Sequence, residues 1–129
     1  MEESKRSILF VEDHPDTCAI LQFLLEGEGY DVTPTGTLAE ATELAQTHSF
    51  NLYLLDHVFP DGSGVTLCQQ LRILHPDTPI VFFSAAAHPA EAQAGLDAGA
   101  NAYLVKPDDI VNIAQTVARL LSEAASKEE

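Results

Sequence analysis

Positive charge is what this chain has least of. Its 129 residues carry 6 Lys and Arg against 20 Asp and Glu, a formal net charge of −14. Of the cations, only Arg72, Lys106 and Arg119 lie between the two termini. Neutralisation of phosphates by Lys and Arg supplies most non-specific affinity for nucleic acid, so binding of DNA or RNA by this chain alone is excluded. Proteins, ions and small molecules remain as partners. Long hydrophobic runs are also missing: none approaches the roughly 20 residues needed to cross a bilayer, which excludes a helical membrane span. Met1 to Arg6 leads straight into a short strand-like run, without the hydrophobic stretch and small-residue cleavage site of a secretory leader, so a cytoplasmic location is expected. Cysteine is limited to Cys18 and Cys68, which fall in two different helical patterns among apolar neighbours. That spacing suits reduced core thiols better than a disulfide or a metal site.

What is present is an ordinary globular composition, 46% hydrophobic, at a length that fits one domain and leaves little room for a second. A chain of this size buries roughly two thirds of the surface its unfolded form exposes. The core is expected over about residues 7 to 124, with a frayed acidic tail at Ser126-Lys127-Glu128-Glu129.

Helical and strand periodicities alternate along the chain. Helices are predicted at 17–28 (Cys18, Leu21, Leu24, Leu25), 37–47 (Leu38, Ala41, Leu44, Ala45), 65–74 (Val65, Cys68, Leu71), 89–98 and about 108–125. The last has the cleanest apolar stripe: Ile110, Ile113, Ala114, Val117, Leu120 and Leu121. The fourth is alanine-rich and lacks strong apolar anchors, so it is expected to be the least tightly held. Thr37 followed by Glu40 predicts a capping box, in which each side chain satisfies a backbone N–H left free by the first turn. The third helix should stop before His75-Pro76, because the residue preceding a proline resists helical angles. Strands are predicted at 7–11, about 30–33, 50–55, 79–83 and 101–105. Continuous apolarity in three of them means burial on both faces, hence an α/β fold: a doubly wound, five-stranded parallel sheet covered by helices on each side.

Four of those strands stop at residues capable of phosphoryl chemistry. Glu12 and Asp13 follow Ile8-Leu9-Phe10-Val11, Asp56 follows Leu52-Tyr53-Leu54-Leu55, Ser84 follows Ile80-Val81-Phe82-Phe83, and Lys106 follows Tyr103-Leu104-Val105. Parallel strands bring all of them to one sheet edge, and open α/β sheets bind ligands just beyond the carboxyl ends of their strands. Two negatively charged reactants meet there only with help from a cation. Mg²⁺ suits that role, since it takes octahedral oxygen ligands that Glu12, Asp13 and Asp56 could supply.

The ordered motifs Val11-Glu12-Asp13, Asp56 through Pro60 to Gly64, Phe83-Ser84-Ala85, Gly99-Ala100 and Tyr103-Leu104-Val105-Lys106-Pro107 resemble the receiver domain of two-component response regulators over essentially the whole chain. The resemblance implies the flavodoxin-like (βα)₅ strand order 2-1-3-4-5. It implies Asp56 as the phospho-acceptor forming an acyl phosphate, and metal ligation by Asp13, Asp56 and the Val58 backbone carbonyl. Glu12, where the family more commonly has Asp, would act on the metal through water. Lys106 would pair with the phosphoryl group, Ser84 would donate its hydroxyl to it, and Tyr103 would turn inward as Ser84 moves. Ala85 would leave room for the phosphodonor, and the Lys106-Pro107 bond would be cis. Val58 and Ala86 occupy the positions that tune acyl phosphate hydrolysis in this family. Neither can orient a water, so slow self-dephosphorylation is expected, with Phe59 shielding the site.

The histidines carry no predicted role in the chemistry. Strand alternation turns His57 away from the site that Asp56 faces, and His14, next to Asp13, has the pocket rim within reach; a structural or solvated place is expected for both. His48, His75 and His88 sit at helix ends, favourable for a partly charged ring at a C-terminus.

The expected function is a stand-alone switch that takes a phosphoryl group from a sensor histidine kinase or histidine phosphotransfer protein. Its output would be a changed surface on the fourth helix, fifth strand and fifth helix, presented to a downstream protein target or used in a phosphorelay. It would not be an enzyme beyond its own phosphorylation and dephosphorylation. Three alternatives compete. An aspartyl phosphatase or phosphotransferase acting on small substrates commonly carries a second Asp two residues after its nucleophile, where this chain has Val58. A phosphate-independent interaction module would leave the full set of residues without a reason. A fragment of a hybrid kinase is weighed against a complete small protein, which Met1 and the acidic tail favour.

Overall fold

The computed structural model describes residues 5–128 of the chain. Met1 to Ser4, part of the segment read above for a leader, lie outside the described residues. Five parallel strands form the main sheet: β1 (Ser7–Val11), β2 (Asp31–Thr35), β3 (Leu52–Leu55), β6 (Ile80–Ser84) and β7 (Ala102–Val105). A short antiparallel hairpin, β4 (Val58–Phe59) with β5 (Gly62–Ser63), interrupts the series after β3. The sheet order is β2-β1-β3-β6-β7, which is the expected 2-1-3-4-5 once the hairpin is set aside.

Alternation along the strands builds two cores. Ile8, Phe10, Leu52, Leu54, Val81 and Phe83 point to one face, where they meet Leu21 and Leu25 of α1 (Pro15–Gly27) and Val117 and Leu121 of α5 (Ile113–Glu128). Leu9, Val11, Tyr53, Leu55, Ile80 and Phe82 point to the other. There they pack on Ala41 and Ala45 of α2 (Leu38–Thr47) and on Leu67, Cys68 and Leu71 of α3 (Gly64–Leu74). Each fully buried aliphatic or aromatic side chain contributes about 1.5–3 kcal/mol by leaving water. Burial pushes the Cys68 thiol up to about 11 and raises that of Cys18, as expected of core thiols. The fourth helix, α4 (Pro89–Asp97), buries one residue, Gly95, whereas α3 buries four, so its predicted sparse anchoring is observed.

Several boundaries differ from the sequence reading for physical reasons. Strand β2 runs on to Thr35 through Pro34, tolerated because β2 is an edge strand with one unpaired side. Helix α1 starts at Pro15, with the His14 ring accepting from the Thr17 N–H at 3.4 Å, so His14 has the structural place expected of it, as a helix cap. The Thr37–Glu40 capping box is only half made: Thr37 Oγ1 accepts from the Glu40 N–H at 3.2 Å. The rest of the α2 start is satisfied from elsewhere, since the Asp61 carboxylate accepts from the N–H groups of Leu38 and Ala39 at 3.1 and 3.3 Å. A full capping box forms instead on α4, between His88 and Glu91. His88 therefore stands at a helix N-terminus, whereas His48 and His75 cap the C-termini of α2 and α3. The predicted fifth helix divides into a 3₁₀ turn at Asp108–Asn112 and α5 proper. α5 continues to Glu128, so the segment expected to fray from Ser126 keeps helical backbone, and Glu129 lies outside the described residues.

No helix among the described residues is long and apolar enough to cross a membrane.

Candidate phosphoryl-transfer site

The strand register assembles the site. Val11 pairs with Leu55, and Ser84 pairs with Val105, so the residues following each strand come side by side. Backbone bonds continue the ladder one step past the strand ends: Glu12 N–H to Thr35 O at 2.8 Å, Asp56 N–H to Val11 O at 3.0 Å, and Lys106 N–H to Ser84 O at 2.9 Å. These bonds fix the backbone of the functional residues, which leaves only their side-chain torsions free.

The carboxylates of Glu12, Asp13 and Asp56 offer oxygens that all lie within 4.8 Å of one another. Three anions that close repel unless a cation intervenes. Lys106 partly fills that need, with Nζ 2.6 Å from Glu12 Oε1 and 3.0 Å from Asp56 Oδ2. Glu12 is 3% exposed, and its Oε2 accepts from the His14 N–H at 3.1 Å. Burial, and then the neighbouring Asp56, push the Glu12 carboxyl up, and the Lys106 ammonium only partly offsets this. Asp56 goes the other way. Burial pushes it up, but the Lys106 ammonium, the His57 N–H at 2.6 Å from Oδ1 and the Ser84 hydroxyl together hold it below its ordinary value. Burial pulls the Lys106 ammonium down, and its two carboxylate partners more than restore it.

The donor set fits a hard divalent cation: three carboxylates, of which Asp13 is exposed. Ser84 is 2% exposed, and its Oγ accepts from the Ala86 N–H at 3.1 Å. Ala85 beside it is exposed, as is the Val58 side chain, while Phe59 is buried. The Lys106-Pro107 bond is cis, as expected. Gly64 lies directly behind Asp56: its N–H donates to His57 O at 2.8 Å, and a methyl group there would collide with the Asp56 carbonyl.

Tyr103 lies on the opposite side of the sheet edge from Lys106. Its ring stacks on Phe82 at 5.3 Å and faces Gly95 of α4, and its hydroxyl donates to Ala86 O at 2.6 Å. Its other partner was not foreseen: His57 Nδ1 stands 2.9 Å from the same hydroxyl. Alternation does turn His57 away from the carboxylates, as expected, but it turns it onto Tyr103. A second residue that sequence reading passed over is Asp109, whose carboxylate accepts from the Val105 N–H at 2.8 Å and so steadies the strand end that carries Lys106.

The profile of the response regulator receiver domain matches residues 8–118. The chain therefore belongs to the response regulator receiver family. Among curated proteins it is 34% identical over 125 residues to the uncharacterized transcriptional regulatory protein YkoG of Bacillus subtilis, covering 97% of this chain and 55% of that one. It is 35% identical to the response regulator protein PilR of Pseudomonas aeruginosa over 92% of this chain and 26% of that one. The chain thus spans about half the length, or less, of these relatives. Among solved structures it resembles a CheY-like receiver domain protein of Methanospirillum hungatei, with a TM-score of 0.91 at 28% identity over 96% of this chain and 99% of that one. It also resembles the receiver domain of the sensor histidine kinase PA1611 of Pseudomonas aeruginosa, solved with magnesium coordinated in its active site cleft, with a TM-score of 0.84 at 26% identity over 92% and 99% of the two chains.

Proposed function

We propose that this chain is one receiver unit acting as a phosphorylation-controlled switch, with Asp56 as the acceptor. The observation that carries the reading is the Asp56 carboxylate itself. It is held ionised at a strand end, with one oxygen on the Lys106 ammonium and the other on the His57 N–H, in reach of two further acids.

An Asp56 oxygen attacks the phosphorus of a phosphohistidine on a sensor histidine kinase or histidine phosphotransfer protein. The P–N bond breaks, an acyl phosphate O–P bond forms, and the imidazole leaves with a proton from solvent. A Mg²⁺ bound here supplies positive charge to the phosphoryl oxygens and offsets repulsion between the reacting anions. Asp13 and Asp56 would hold it directly, with the Val58 backbone carbonyl, and Glu12 would act through water because both of its oxygens already serve Lys106 and His14. Lys106, released from Asp56, pairs with the phosphoryl group. Ser84 donates its hydroxyl to it, and its shift favours the position in which the Tyr103 hydroxyl rests on the Ala86 carbonyl. The resulting change falls on α4, β7 and α5, where α4 is the most lightly anchored helix and a downstream protein or a further histidine reads it. Such a switch works in the cytoplasm, where its phosphodonors act, and turns over nothing but its own acyl phosphate. Val58 and Ala86 hold no group able to orient a water, so that acyl phosphate is long-lived.

Intact mass after incubation with Mg²⁺ and acetyl phosphate tests the reading. A single phosphoryl adduct is expected on the wild type, and none on Asp56→Asn or on wild type in EDTA. A folded wild type without an adduct would replace the switch with a phosphate-independent interaction module.

A further inference from the structure

Among the described residues, His57 is bonded both to the acceptor and to the aromatic at the other side of the sheet edge. Its backbone N–H donates to Asp56 Oδ1 at 2.6 Å, and its ring nitrogen Nδ1 lies 2.9 Å from the Tyr103 hydroxyl. The ring is itself fixed in place, half-buried, with its centroid 6.0 Å from Phe82 and 6.1 Å from Tyr103 in an edge-on arrangement.

Proton counting decides what the contact is. The Tyr103 hydroxyl has one proton, and Ala86 O at 2.6 Å can only accept it. The Tyr103 oxygen must then be the acceptor toward His57, so Nδ1 carries a hydrogen. The relay runs His57 Nδ1–H to Tyr103 Oη–H to Ala86 C=O. Each link orients the next, and the chain of bonds is stronger than its members taken alone. Its far end is the loop between β6 and α4, two residues from Ser84.

We propose that His57 is a positioning residue for Tyr103. It holds the phenol inward, with its hydroxyl closed onto the Ala86 carbonyl, and so ties the residue next to Asp56 to the loop that leads into α4. This rests on the reading of Asp56 as acceptor and Tyr103 as the moving aromatic, and it adds a direct second link between them beside the one through Ser84. Removing the Nδ1 donor leaves Tyr103 with fewer hydrogen bonds in the inward position, while its stacking on Phe82 is unchanged. The inward population should fall, and the β6–α4 loop should loosen with it.

Nitrogen-15 NMR of the imidazoles, on metal-free protein at about pH 8 where an ordinary histidine is neutral, tests the contact without any phosphodonor. His57 should show a protonated Nδ1 and a bare Nε2, and Tyr103→Phe should shift that pattern. His57→Phe should move the Tyr103 ring resonances and those of Ala86, and His57→Asn, which restores an N–H donor near the Nδ1 position, should bring them back toward wild type. Circular dichroism confirms that each variant is folded. A bare Nδ1 in the wild type, or Tyr103 and Ala86 resonances unmoved in folded His57→Phe, would overturn the proposal. Adduct formation on the wild type by mass is scored separately, so a failure of the acceptor reading is distinguishable from a failure of the relay.

Discussion

Glu12 and Lys106, 94 residues apart in the chain, close an ion pair at 2.6 Å in which the glutamate side chain is fully buried. The pair is the floor of the acidic site: the ammonium that neutralises Glu12 also holds Asp56. Removing the lysine leaves two buried or half-buried carboxylates uncompensated, together with the exposed Asp13.

Lys106→Ala should therefore lose roughly 3 kcal/mol of stability in EDTA, the cost of stranding a charge whose partner is gone. Mg²⁺ should return part of that loss, because it neutralises the same carboxylates. Urea unfolding with and without the metal gives both numbers, and equal losses in the two conditions would contradict the shared role.

Acid and alkaline limbs of the stability profile have separate causes. Asp56 is held below its ordinary value of 3.8, so its contribution is present above that pH and is lost as the pH falls through the lowered value. On the alkaline side, burial pushes the Tyr53 phenol up to about 12 from 10.0. The unfolded chain ionises first, so stability falls as pH rises across that window, by about 2 kcal/mol at its upper end. Lys106, held above its ordinary value, adds loss of the same sign. The Cys68 thiol, raised from 9.0 to about 11, adds a loss of the same sign one unit lower. Tyr53→Phe should therefore keep only the part of the alkaline stability lost above about pH 10, as read from urea midpoints at a series of pH values.

Gly64 has no room for a side chain because the Asp56 carbonyl stands where its Cβ would be. A backbone atom cannot rotate aside, so Gly64→Ala must displace the loop after Asp56 or the start of α3. A loss of at least 2 kcal/mol is expected, with slowed phosphorylation in whatever remains folded. An alanine variant as stable and as reactive as wild type would mean the loop is soft.

Arg72, one of three cations between the termini, is a clamp and not a surface charge. Its guanidinium donates to the carbonyls of Gly99, His75, Pro76 and Thr78 and to Asn101 Oδ1. It joins the end of α3 to the turn after α4, where Gly99 takes a φ of +116° that a side chain would resist. Lysine cannot span those acceptors. Arg72→Lys should cost about 2 kcal/mol in thermal or urea unfolding and leave the yield of phosphoryl adduct unchanged.

The fold and most of the site were legible in the sequence because both depend on strand ends. Apolar runs mark parallel strands, and a residue that follows such a run lies at one edge whatever the helices do. That logic placed Glu12, Asp13, Asp56, Ser84 and Lys106 together. It also turned His57 away from the acids. What it could not supply was the partner on the other side, because His57 meets Tyr103, 46 residues further along the chain, only through the register that sets Phe82 beside Tyr103. The cap on α2 was read only in part for the same reason: Thr37 takes the Glu40 N–H as expected. Thr37 and Glu40 match the local rule, but Asp61, reaching in from the hairpin loop, takes the Leu38 and Ala39 N–H groups. The hairpin itself, two residues to a strand, is too short to leave a periodicity.

The most direct test of the central claim is to find where the phosphoryl group goes. Borohydride reduction of protein treated with Mg²⁺ and acetyl phosphate converts an aspartyl phosphate to homoserine, which peptide mass mapping then places. Homoserine at position 56 alone is the result this account predicts. Homoserine at position 13, or a modified histidine with Asp56 intact, would contradict it.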